Sequence, residues 1–182
     1  MPPRQSRRER PPLEANRLNE LALAYVGRFA TTRAKLASYL GKKLRERGWA
    51  GDRPPELDAI VERLASLGYV DDAAYALSKS RSLSGRGYGP RRVRQSLHAA
   101  GVGDEDSLAA RELAEAEKVE SALRFARRRR LGPFGAGKVE RADRDKALAA
   151  MIRAGHGFEL SKAILSLDST ASVDVESLSE KA

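Results

Sequence analysis

The sequence predicts an all-α protein made of three tandem three-helix repeats. Three observations carry that prediction. Apolar residues recur at helical spacing through almost the whole interior of the chain, and no segment alternates as a strand would. Glycine and proline punctuate the helical stretches where helices end and begin. A faint internal repeat joins "LGKKLRERG" (40–48), "VRQSLHAAG" (93–101) and "ALAAMIRAG" (147–155), about 53 residues apart. Each copy has an apolar residue, a second four later, and a glycine four beyond that. One helix lies upstream of each copy and one downstream, so the expected arrangement is an elongated, curved array of three modules.

The elements follow in order. Leu18, Leu21, Ala22, Tyr25 and Phe29 form the stripe of a first helix. Thr31 and Thr32 are candidate N-caps for a second, marked by Leu36, Leu40 and Leu44. Leu57, Ile60, Val61, Leu64 and Leu67 mark a third, with Pro54 and Pro55 expected in its first turn and Gly68 at its end. Asp71 or Asp72 caps a helix that runs through Leu83 to a glycine cluster. The next helix starts at Pro90, buries Val93, Leu97 and Ala100, and stops at Gly101. More helix opens at Asp104, with Val119, Ala122, Leu123 and Ala126 on one face and Arg130 continuing the stripe by packing its methylene stem. Two last helices lie around Leu148–Ile152 and Leu160–Leu167. The expected organisation is a disordered basic arm over 1–16, repeats over 17–70, 71–117 and 118–168, and a disordered acidic tail over 169–182.

Composition narrows the function. Thirty-four Lys and Arg against 25 Asp and Glu give a net charge of +9, and the pI is near 10.1. Such a surface suits polyanions, nucleic acid first. With no cysteine, disulfides and thiolate chemistry are excluded. No apolar run approaches the ~20 residues of a bilayer span, and the basic N-terminus lacks the apolar stretch of a secretory signal. A cytoplasmic protein without contact to a membrane is expected.

The stretch "GRGYGPRRVRQSLH" (85–98) invites a nucleotide-loop reading. A dinucleotide fingerprint needs a third glycine where Pro90 stands, and a strand where the preceding segment is helical. The stretch therefore reads as a joint between helices. Beyond it, Arg91, Arg94, Gln95 and His98 fall opposite Val93 and Leu97 and face outward. The first repeat presents Lys42 and Arg45, flanked by Lys43 and Arg47. Repeated basic faces would make a groove that tracks a polyanion; a merely solvated face is the competing reading. The run Arg127–Arg130 spans a full turn and cannot all face one ligand.

Catalysis is not supported. His98 and His156 stand alone, so neither zinc nor another metal is expected. Asp71 and Asp72 as a magnesium nuclease pair compete with a simple helix cap. Trp49, Tyr69, Tyr75 and Tyr88 lie near inter-helix junctions, where packing outweighs base stacking.

"LGYVDDAAYA" (67–76) followed by "GRGYGPRRVRQSL" (85–97) resembles the signature of the RecX regulatory proteins, in Gly68, Tyr69, Asp71, Asp72, Tyr75, Ala76, Gly87, Gly89, Pro90, Arg92, Val93 and Leu97. "KKLRERG" (42–48) resembles the basic second helix of that family's first repeat, and "MIRAGHGFELSKAIL" (151–165) its degenerate third. The "GHGF" joint (155–158) is longer than the family's, and the linker "WAGDRPPELD" (49–58) is of a kind that varies among relatives. The resemblance implies three tandem three-helix repeats and modulation, usually inhibition, of the RecA recombinase. It implies binding in the groove of the RecA filament on single-stranded DNA, hindering filament growth, ATP hydrolysis and strand exchange. The candidate RecA- and DNA-binding residues are Lys42, Lys43, Arg45, Arg81, Arg86, Arg91, Arg92, Arg94 and Arg128, with Gly68, Asp71, Asp72, Gly87, Gly89, Pro90, Val93 and Leu97 as the structural motif. A monomer without cofactor is expected, with double-stranded DNA as a further candidate partner. The alternative is a helix-turn-helix-like binder of double-stranded DNA that reads bases from 90–100. An enzyme, or a scaffold with incidental basicity, are further alternatives.

Overall fold

The computed structural model describes residues 11–135, 141–167 and 178. All of its regular elements are helices: α1 (Ala15–Val26), α2 (Arg33–Arg47), α3 (Leu57–Ser66), α4 (Asp72–Gly85), α5 (Pro90–Ala99), α6 (Asp104–Ala116), α7 (Lys118–Arg129), α8 (Arg141–Arg153) and α9 (Phe158–Leu165), with a 3₁₀ turn at Gly132–Phe134. No strand occurs among the described residues; Leu13 and Trp49 make one isolated parallel bridge.

Three buried clusters match three groups of three helices. Leu13, Leu18, Ala22, Leu36, Leu40, Val61, Leu64 and Val70 form the first, under α1–α3. Ala76, Leu83, Val93, Leu97, Ala100, Val102, Ala110 and Ala114 form the second, under α4–α6. Val119, Ala122, Phe125, Ala126, Met151, Ala154, Leu160 and Ile164 form the third, under α7–α9. The chain divides into two compact units, Met1–Asp71 and Asp72–Ala182. The first holds one group of helices and the second holds two.

The faint repeat of the sequence is a repeat of backbone conformation. Gly48, Gly101 and Gly155 have φ of 78°, 70° and 98°. All three end the middle helix of their group in the left-handed region, where only glycine is unstrained. Leu40, Val93 and Ala147, eight residues before each glycine, are all buried.

Local chemistry explains most boundaries. Thr32 Oγ1 accepts the Lys35 N–H at 3.2 Å and caps α2. Gly68 ends the first unit's last helix with φ of 76°, and Pro90 occupies the first turn of α5. In the second unit α4 lies close on α6 because the facing residues, Ala76, Ser80, Ala110 and Ala114, are small and buried. Ser80 Oγ donates to the Ala110 carbonyl at 2.8 Å, which satisfies its hydroxyl there.

Three expectations need correction, and a fourth falls almost wholly outside the described residues. Pro54 and Pro55 precede α3, which begins at Leu57 after Glu56. Arg130 does not continue the apolar stripe; it ends α7 in the left-handed conformation (φ 54°, ψ 49°) and is exposed. Of the arm expected over 1–16, residues 1–10 lie outside the described residues and residues 13–16 belong to the first unit. Leu13 is fully buried, bonded to Gly48 and Ala50 on either side of Trp49, and α1 starts at Ala15. Burial of one leucine and two backbone hydrogen bonds outweigh the polar composition around it. The acidic tail lies outside the described residues except for Leu178, which is buried in the α7–α9 cluster.

Candidate nucleic-acid interface

The stretch 85–98 is a docking joint inside the second unit. The Gly89 N–H donates to the Ala154 carbonyl at 3.0 Å, and the Arg91 N–H to the Gly155 carbonyl at 3.2 Å. The turn between α4 and α5 is thus pressed backbone to backbone on the turn between α8 and α9. Side chains would prevent it. A Cβ at Gly89 would lie 2.4 Å from the Gly155 oxygen, and one at Gly155 would lie 2.5 Å from the Arg92 nitrogen. At Gly87, with φ of 80°, a Cβ would lie 2.8 Å from the Phe125 nitrogen on α7. Glycine at these places is required by close approach, and at two of them by conformation as well.

His156 locks the joint. It is fully buried, its ring sits 5.6 Å from that of Phe125, and its Nε2 lies 3.1 Å from the Gly87 carbonyl. A carbonyl only accepts, so Nε2 carries the proton and Nδ1 is bare. Burial lowers the imidazole pKa from 6.5 to about 4, against a smaller upward pull from the bond to Gly87.

Docking the two turns fixes what surrounds Tyr88. A cavity of about 600 Å³ is lined by Tyr88, Arg92, Phe125, Arg128, Arg129, Ala150, Arg153 and Ala154. A neighbouring one of about 500 Å³ shares Tyr88 and Arg92 and adds Lys79 and Arg86. Together they form a basic groove with no carboxylate in its lining. Among the described residues no carboxylate pairs with Lys79, Arg86, Arg92, Arg128, Arg129 or Arg153.

Several of these cations are held by the fold. The Arg86 and Arg128 guanidiniums lie 5.7 and 5.9 Å from the Tyr88 ring centroid. Arg128 Nη1 donates to the Arg86 carbonyl, and Arg86 Nε to the Ser82 carbonyl at 3.1 Å. Arg124 Nη1 reaches the Ser84 carbonyl at 2.9 Å and ties α7 to the end of α4. A guanidinium carries five donors in a planar fork, so one bond to the backbone orients it and leaves others for a phosphate or carboxylate.

The structure divides the candidate binding residues. Arg86, Arg92 and Arg128 meet in the groove. Arg91 and Arg94 are exposed on the other flank of α5, beside Lys118 and Glu115, so the outward face read as one surface is two. Arg81 is exposed on α4 and does not line the groove. Lys42, Lys43 and Arg45 belong to the first unit. There Lys43 Nζ lies 2.8 Å from Glu46 Oε2, Lys42 Nζ 3.9 Å from Glu46 Oε1, and the Arg45 guanidinium folds back toward Gly41. Of the structural motif, Val93 and Leu97 are core residues and Asp72 is buried at the start of α4.

Sequence reasoning passed over Lys79, Tyr88, Arg129 and Arg153 as binding residues. Arg129 stood in the "RRRR" run, but which of the four faces the groove depends on how α7 is rotated by burial of Phe125 and Ala126. Arg127 instead covers Phe134 at 4.9 Å. The repeat gives no signal for Arg153, whose counterparts two residues before the glycine are Glu46 and Ala99.

Comparison with known proteins bears on the same segment. Residues 71–110 match the family described as RecX, second three-helix domain. The regulatory protein RecX of Myxococcus xanthus (strain DK1622) is 32% identical over 158 residues, covering 81% of this chain and 83% of that protein. Its namesake in Thermus thermophilus is 34% identical over 151 residues, covering 79% and 87%. The crystal structure of RecX from Lactobacillus salivarius superposes with a TM-score of 0.65 at 20% identity, covering 83% of this chain and 94% of that one.

Proposed function

The chain belongs to the RecX family of regulatory proteins, and on that premise we propose that it regulates homologous recombination without being an enzyme, by binding RecA and its filament on single-stranded DNA. The observation that carries the reading is the basic groove around Tyr88, where arginines from α5, α7 and α8 converge with no carboxylate in the lining. Cations left unpaired attract a polyanion and release its counterions on binding. Arginines already oriented by the backbone and by Tyr88 lose little freedom when they bind. Arg86, Arg92, Arg128, Arg129 and Arg153 contact the filament, and the outcome is slower filament growth, ATP hydrolysis and strand exchange. The protein acts as a monomer in the cytoplasm, with no cofactor. No helix among the described residues is long and apolar enough to cross a membrane.

The helix-turn-helix alternative fits less well. It would send the first turn of α5 into a major groove, and that turn is bonded to the α8–α9 turn through Arg91 and Gly155. The test is RecA-dependent ATP hydrolysis on single-stranded DNA with the protein added in excess. The expected result is a lowered rate, restored when Arg92→Glu and Arg128→Glu are combined. An unchanged rate with the wild-type protein would sink the proposal.

A further inference from the structure

The first unit carries an aromatic row whose outer ring, Phe29, its core does not account for. Tyr25 on α1 stacks on Tyr39 of α2, with ring centroids 4.2 Å apart and planes 16° from parallel. Phe29, just beyond α1, tilts against Tyr25 at 5.3 Å. The two tyrosines pack at the margin of the first core, whereas Phe29 is outside it and 54% exposed. A large ring so exposed, tilted 49° from Tyr25 at the outer end of the row, is available to a further flat group.

Cations border the row. The Arg28 guanidinium lies 6.0 Å from the Phe29 centroid, and Lys43 Nζ 5.7 Å from that of Tyr39. Lys35, Tyr39 and Lys43 share one face of α2 at four-residue steps. Glu46 takes up part of the Lys43 charge, while Arg28 has no ion-pair partner among the described residues. Rings alternating with positive charge match the chemistry of unpaired bases strung on phosphates. A duplex offers its phosphates but keeps its base faces stacked.

We propose that Phe29, backed by Tyr25 and Tyr39 and flanked by Arg28 and Lys43, is a base-stacking site for single-stranded nucleic acid, separate from the groove around Tyr88. The inference rests on the reading that this chain binds nucleic acid. Phe29 is half exposed, so Phe29→Ala leaves the fold intact. Binding is measured by anisotropy with two labelled strands of equal length, oligodeoxythymidine and an abasic oligodeoxynucleotide. Phe29→Ala weakens the thymidine strand about tenfold and leaves the abasic strand unchanged. Phe29→Trp keeps the affinity and adds a tryptophan emission, above that of Trp49, which the thymidine strand quenches. An equal loss on both strands, or no loss on either, overturns the site. So does a Phe29→Ala protein that keeps its strand affinity but no longer acts on RecA, since the row would then be a protein contact. A wild-type protein that binds neither strand removes the nucleic-acid reading itself, and this site with it.

Discussion

The two units use similar residues to different ends. In the first, Arg17 pairs with Glu20 at 2.5 Å, Arg33 with Glu62 at 3.5 Å, and Lys42 and Lys43 with Glu46. In the second, the arginines around Tyr88 meet rings and backbone carbonyls and no carboxylate in the described structure. Charge count does not distinguish the α2 face from the groove around Tyr88, but pairing does; the second unit's pairs, Arg111–Asp104 and Lys146–Asp143, lie outside the groove. A cation already matched to a carboxylate adds little to polyanion binding, because the partner's charge cancels its field at a Debye length. The lesson is that a basic helix face in a sequence is a site only when the fold keeps acids away from it.

The sharpest way to break this contrast is to separate the parts of the second unit. Gly89→Ala forces a Cβ onto the Gly155 carbonyl, at a cost of about 3 kcal/mol. Chemical denaturation is expected to show the second unit melting early while the first keeps its transition. Arg92 then leaves the groove, and strand affinity falls with it. A single unshifted transition would mean that the joint gives way without cost.

Acid probes the same joint without mutation. His156 titrates near 6.5 when unfolded and about 4 when folded. The unfolded chain therefore binds the extra proton between those values, and stability falls as pH drops from 6.5 to 4, levelling below. The loss is on the order of 3 kcal/mol, confined to the second unit, and read from urea midpoints across that range. His156→Gln should flatten the profile.

Charge reversal tests the contrast directly. Arg92→Glu with Arg128→Glu is expected to weaken single-strand binding roughly ten- to hundredfold and to lower the salt slope by about two. Arg17→Glu with Lys42→Glu, two paired cations of the first unit outside the aromatic row, is expected to change affinity less than about threefold. Equal effects from the two pairs would erase the distinction between the surfaces. The smallest effect comes from Glu46→Gln, which releases Lys42 and Lys43. Affinity should rise about twofold, with a stability change under about 1 kcal/mol, measured by titration and thermal melting.

Most of the fold was legible because its signals are local. Thr32 caps, Pro90 starts a helix, Gly68 and Gly101 end helices, and each acts through its own backbone. The candidate site was legible only in part. Arg86 and Arg92 stood out as basic residues at a glycine joint and Arg128 as one of a run of four arginines, but nothing local separates them from Arg91, Arg94 or Arg81. Pro54 and Pro55 were placed one turn too far into α3, and Arg130 was read as part of a stripe where it ends α7 in the left-handed conformation, with Leu131 N–H bonded back to Ala126.

By itself the sequence determined the helical class, the threefold repeat and its glycines, since helical period and the left-handed conformation are properties of a few consecutive residues. Tertiary structure alone decided that Gly89 meets Gly155, that His156 is sealed between them and α7, and that Arg153 and Arg129 join Arg92 beside Tyr88. The three arginines lie on different helices, α5, α7 and α8, and the glycines and His156 in the turns beside them. Their meeting depends on how helices from two repeats pack, and no local pattern of residues encodes it.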